Sequence, residues 1–107
     1  AGIEAAKPGV RACDIFQAMS RVMSEFSQKG GEIGRLGHGL GMQLTEQPSL
    51  ASFDKTVLEE NMVLTLEPSL SYGAGLMMVH EENIVVTTFG GRLLTKRASQ
   101  DLPVLFT

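Results

Sequence analysis

Residues Met62–Leu94 read MVLTLEPSLSYGAGLMMVHEENIVVTTFGGRLL. Met62, Leu64 and Leu66 fall on one side of an extended chain, with Val63, Thr65 and Glu67 on the other, a repeat of two that marks a strand. Pro68 holds Glu67 extended and removes a ladder donor, so the strand closes there. Leu76 to Phe89 is a second apolar, β-branched run, interrupted by HEEN at 80–83. FGGR, Phe89–Arg92, carries the glycine pair of a two-residue hairpin turn that returns the chain through Leu93 and Leu94. Strands this close in sequence pair antiparallel.

Upstream, the period of two recurs before it gives way to a helical one. Leu40, Met42 and Leu44 alternate with Gly41, Gln43 and Thr45, which predicts a strand to about Glu46. Pro48 to about Glu60 reads as a connection, with DKTVLEEN supplying turn chemistry. Earlier still, Ile15, Phe16, Met19, Val22, Met23 and Phe26 recur at three- and four-residue steps, one apolar stripe on a helix spanning roughly 11–29. Gly30-Gly31 end it. Ala1 to Ala6 are helix formers stopped by Pro8-Gly9. A helix followed by antiparallel strands is an α+β arrangement, taken as one partial domain over 1–107.

The chain has 107 residues, a net charge of −3, and lysines and arginines that do not cluster. That argues against nucleic acid or an anionic membrane as partner. No apolar run approaches the ~18 residues of a spanning helix. The single cysteine, Cys13, excludes an internal disulfide and reads as a small buried hydrophobe in a reducing compartment, so a cytoplasmic protein is expected. The six methionines follow the helix and strand stripes and read as core filling rather than copper ligands. The start, AGIEAAKPG, lacks Met and begins partway through a helix, which suggests a segment cut from a longer chain.

Three ionisable groups stand where strands are expected. His38 lies between glycines in GRLGHGLGMQLTEQP, Glu67 precedes a proline, and Glu81 lies in MVHEENIVV. A carboxylate within an apolar strand is costly unless paired or coordinated. On strand parity Glu81 shares the side of Met77, Val79 and Val85, while His80 and Glu82 take the other. Each residue alone also fits a plainer role: a histidine after glycine, or an exposed edge glutamate. Tyr72, with Gly73 and Gly75, reads as a turn.

Taken in order, GHGLG, TEQPSL, MVLTLEPSL and HEENIVVT resemble the C-terminal half of the catalytic domain of the pita-bread metalloenzymes, the superfamily of creatinase, methionine aminopeptidase, prolidase and aminopeptidase P. The lead-in AAKPGVRACDIFQAM and the closing GGRLLT are similar too, so the likeness covers nearly the whole chain. It implies a helix packed on a curved antiparallel sheet. It also implies two divalent ions, Mn, Co, Zn or Fe, with His38 bound to one, Glu67 binding metal and transferring a proton, and Glu81 bridging both. The implied activity is hydrolysis of Xaa-Pro-type peptide bonds by a hydroxide that the two ions share and make acidic. The substrate would be a short peptide or small amide, and the whole protein a homodimer. Thr45, Glu46, His80 and Glu82 would lie around the site or touch substrate.

The resemblance breaks in two places. The family's first two ligands are aspartates on preceding strands, and Asp14, Asp54 and Asp101 cannot fill those roles. The isolated chain is therefore expected to be inactive. Where peptidase members place a second histidine seven residues after the first, this chain has Thr45, followed by Glu46. Threonine donates a hydrogen bond but carries no charge, so it stabilises an oxyanion less well. A creatinase-like hydrolase of a non-peptide C–N bond, and a non-catalytic binding module, stay open beside the peptidase.

Overall fold

The computed structural model describes residues 1–26 and 34–106. Two helices, α1 (Gly2–Ala5) and α2 (Ala12–Ser24), precede seven strands: β1 (Gly37–Gly39), β2 (Glu46–Ser49), β3 (Val63–Leu66), β4 (Ser69–Gly73), β5 (Leu76–Val79), β6 (Glu82–Thr87) and β7 (Gly90–Leu93). The architecture is the expected α+β: a five-stranded sheet in the order β2-β1-β3-β6-β7, every pair antiparallel, and a separate β4-β5 ribbon.

The helices bury their stripe on one face of the large sheet. Ala12, Ile15 and Met19 of α2 join Leu64, Leu66, Ile84 and Val86 of β3 and β6 in one cluster, closed by Leu36, Leu50 and Leu58. Alternation along β3 and β6 leaves Val63, Thr65, Asn83 and Val85 for the opposite face. The first helical N–H groups of α2 find partners in the connection after β2. Ala12 donates to the Thr56 carbonyl at 2.9 Å and Cys13 to the Asp54 carbonyl at 2.8 Å. The Asp14 carboxylate closes the same end on Arg11, taking the guanidinium at 3.0 Å and the backbone N–H at 3.2 Å. The guanidinium holds the Asp14 carboxyl below the usual aspartate range.

Asp54 organises that connection. Its carboxylate accepts the backbone N–H of Ser49 at 2.8 Å and of Thr56 at 2.9 Å. Burial pushes the carboxyl up, but the bonds from Thr56 and Ser49 together outweigh it and hold Asp54 below its ordinary value.

Several expectations change. The alternation from Leu40 to Thr45 is not a strand. β1 ends at Gly39, β2 begins at Glu46, and the intervening loop leaves Met42 and Leu44 exposed. Met42 and Leu44 lack a face to bury against, so period alone misled there. The helix is regular to Ser24, and its expected end at Gly30-Gly31 falls outside the described residues. The FGGR hairpin exists, but its turn is Thr88-Phe89. Thr87 pairs with Gly90, and Gly90, at φ +118°, is already the first residue of β7. The β4-β5 ribbon continues the β3-β6 register beyond a break at 67–68 and 80–81, where the His80 N–H bonds the Pro68 carbonyl at 3.0 Å, and Tyr72, Leu76, Met77, Met78 and Val79 are exposed on it.

Candidate functional site

β1 is only three residues long, and the two glycines in it explain its place. A Cβ on Gly39 would run into the Gln47 carbonyl of β2, and one on Gly37 into the Thr65 carbonyl of β3. Only glycine lets the neighbouring backbones approach so closely on both sides. His38 is thereby wedged between two strands, across from Thr65 on β3, and is 5% exposed.

Its ring is fixed from behind. Nδ1 lies 2.8 Å from the Gly39 carbonyl oxygen, which can only accept, so the proton sits on Nδ1. Nε2 then faces the Glu67 Oε1 at 3.4 Å with a lone pair. A lone pair against a carboxylate needs a positive charge between them, either a proton on Nε2 or a cation. An imidazole nitrogen beside a carboxylate oxygen is a donor pair that suits a borderline or hard divalent ion. These two residues fit a metal.

Glu81 stands at the same end of the sheet. β3 and β6 pair Thr65 with Asn83 and Leu66 with Glu82, and the same register carried one step further sets Glu67 across from Glu81. Parity therefore puts His38, Thr65, Glu67, Asn83 and Glu81 on one face. The Glu81 side chain is exposed and makes no polar contact with the other two, and among the described residues no group of three His, Cys, Asp or Glu side chains comes together to hold a metal ion. The exposure departs from the buried setting expected of it: the strand it was assigned to breaks at 80–81, between β5 and β6.

Glu82 behaves differently from its neighbour. It is 7% exposed, turned to the other face, and its Oε1 accepts from the His80 Nε2 at 3.3 Å and the Ala98 N–H at 3.0 Å. His80, half exposed, is thus engaged with Glu82 rather than with Glu67. Thr45 lies exposed in the loop between β1 and β2, and the Glu46 carboxylate accepts the Gln43 N–H of that loop at 3.3 Å. None of the three aspartates reaches the His38 face. Asp14 is held by Arg11 and Asp54 by Ser49 and Thr56, and Asp101 is exposed in the C-terminal tail.

One polar pair on the site face was not anticipated. The Thr65 hydroxyl, 1% exposed, donates to the Asn83 Oδ1 at 2.8 Å. Both residues were visible as polar positions in apolar strands; their pairing depends on the β3-β6 register, which period alone does not supply.

Known proteins resemble this chain over most of its length. The model of metallopeptidase family M24 matches residues 1–88. The Xaa-Pro dipeptidase of Pyrococcus furiosus is 37% identical over 95 residues, covering 88% of this chain and 27% of that protein. Among solved structures, the prolidase from Pyrococcus horikoshii OT3 superposes with a TM-score of 0.82 at 31% identity, over 92% of this chain and 28% of its own. The Xaa-Pro dipeptidase from Bacillus anthracis gives 0.84 at 30% identity, over 97% of this chain and 29% of its own. The chain thus spans little more than a quarter of the length of each of these relatives.

Proposed function

This chain belongs to metallopeptidase family M24, and on that premise we propose that it is the C-terminal part of a divalent-metal-dependent hydrolase of Xaa-Pro dipeptides. The observation that carries the reading is the His38 Nε2 set 3.4 Å from the Glu67 Oε1, with Nδ1 tied back to the Gly39 carbonyl. His38 and Glu67 would hold the metal, with Glu81 as the third ligand from this segment. Bound divalent ions would supply a water acidic enough to attack at neutral pH. Two aspartates from the remainder of the protein would complete the ligand set, so the 107-residue chain by itself is inactive.

The chain's own residues then have distinct tasks. The Gly39 carbonyl keeps the His38 ring in one orientation, so only Nε2 faces the reacting space. The Glu67 carboxylate takes a proton from the attacking water and passes it to the departing proline nitrogen, a transfer that has to occur within hydrogen-bond reach. Thr45 donates a neutral hydrogen bond to the scissile carbonyl.

The test is made on the intact parent polypeptide. His38→Ala and Glu67→Gln should each lower turnover of an Xaa-Pro dipeptide by about 10²–10⁴-fold, the range of a positioned acid–base group. His38→Ala should also reduce bound metal by elemental analysis. Wild-type turnover in Glu67→Gln would sink the assignment. The exposed hydroxyl of Thr45, where a histidine is expected, favours a second reading: a hydrolase of a non-peptide C–N bond in a small guanidino or cyclic amide compound. Turnover of such compounds with none of Xaa-Pro dipeptides would select it.

A further inference from the structure

We propose that Thr65 and Asn83 form a positioning pair that sets the separation of Glu67 and Glu81, and through it the affinity of the site for a divalent cation. The inference rests on the metal-site reading above and goes beyond it, since neither residue is among the ligands of that site.

The β3–β6 ladder is interrupted at the two glutamates and resumes beyond them in the same register, with Ser69 across from Val79. β3 ends at Leu66 and β6 begins at Glu82, so the two glutamates stand in a gap between the Leu66–Glu82 pair on one side and the His80 N–H bond to the Pro68 carbonyl, 3.0 Å, on the other. Pro68 has no N–H with which to return that bond, so the far side of the gap is tied less fully than a regular ladder step. Two carboxylates facing each other across a strand pair repel and load that gap. Inboard of them on the same face, two residues along each strand, the Thr65 Oγ1 binds the Asn83 Oδ1 at 2.8 Å. Thr65 is also the residue directly across from His38. The row His38, Thr65, Asn83 therefore runs across β1, β3 and β6, and the only side-chain bond among the described residues that ties β3 to β6 on this face lies in that row. At 1% exposure the hydroxyl exchanges little with water, so the tie is not easily traded for solvent.

The experiment measures Mn(II) binding by calorimetry on the intact parent polypeptide, with circular dichroism of each apoprotein. Thr65→Val removes the hydroxyl at nearly constant shape, Thr65→Ser keeps it, and Asn83→Ala removes the acceptor. Thr65→Val and Asn83→Ala should each weaken Mn(II) binding about ten- to a hundredfold, the usual effect of losing a residue that orients a ligand. Thr65→Ser should stay within about threefold of wild type. The double variant should bind no worse than either single one, because both sever the same bond. Turnover lost by Thr65→Val should return at saturating Mn(II), with KM for the dipeptide unchanged. Wild-type Mn(II) affinity in Thr65→Val, alongside weakened binding in His38→Ala, would overturn the positioning role. Unchanged binding in His38→Ala would overturn the underlying metal site instead. An unfolded Thr65→Val or Thr65→Ser apoprotein would also count against the proposal, making the pair a general tie of the sheet.

Discussion

At the scale of single residues, the glycines beside His38 do more than the histidine's own preferences to put it where it is. Gly39 faces the Gln47 carbonyl and Gly37 the Thr65 carbonyl at distances that leave no room for a methyl group. The obstacle at Gly39 is backbone, which cannot swing aside as a side chain can. Gly39→Ala should therefore lower stability by about 1–3 kcal/mol, the usual penalty for overpacking, read as a shift in the urea midpoint at unchanged slope. An unaltered midpoint would mean that β1 and β2 can part without cost. The sequence displayed this site unevenly. A histidine between glycines is conspicuous, and Glu67 is marked by the following proline. What a string of letters hides is depth: Glu81 and Glu82 are chemically identical neighbours, yet the first is exposed and the second is buried on the Ala98 N–H. Choosing between them takes the register of β6 against β3.

At the scale of elements, helix and sheet are coupled through a connection with no regular structure of its own. The carbonyls of Asp54 and Thr56 receive the first N–H groups of α2, and the Asp54 carboxylate holds the two ends of the turn that presents them. A carboxyl held below its unfolded value stabilises the fold above that value, and the contribution disappears as pH falls through the lower, folded one. Acid should therefore erase the Asp54 contribution below about pH 4, the ordinary aspartate range. Asp54→Asn should be less stable at pH 7 by about 1–3 kcal/mol, as expected for lost bonds to a charged acceptor. The two proteins should converge in stability as pH falls further below that range, as followed by thermal unfolding across pH. A constant gap at all pH values would exclude the charge as the cause. The sequence reads as a connection from Pro48 to about Glu60; the structure keeps Pro48 and Ser49 in β2, and the connection begins after them, where turn residues fill it. The false strand at 40–45 shows the opposite case: Met42 and Leu44 alternate faithfully but meet nothing, so a period without a partner surface carries no structure.

At the scale of the whole molecule, the fold class was legible because two periods, one helical and one extended, occupy separate stretches of the sequence. The partition into two sheets was not, since it turns on a short break at 67–68 and 80–81 in two strands that otherwise keep one register, which the period does not mark. That partition leaves the β4-β5 ribbon with a row of exposed apolar side chains from Leu76 to Val79, and Tyr72 beside them. Contiguous apolar surface on a short ribbon with open edges invites association. The 107-residue chain, expressed alone, should run above its monomer mass of 11.5 kDa by light scattering at high protein concentration. Met77→Lys and Val79→Glu together should return it to monomer. A monodisperse monomer at all concentrations would mean that the ribbon covers itself.

The adjacency of Glu81 and Glu82 has a consequence for how the sheet finds its alignment. If β6 slid by one residue along β3, a glutamate would still stand on either side of the strand, so the acidic end of the sheet would pass as correct in the shifted arrangement. The error would surface only further along, where Asn83 would be forced inward and Ile84 and Val86 turned out to water. Proofreading of the candidate metal-binding end is thus delegated to the aliphatic residues downstream of it.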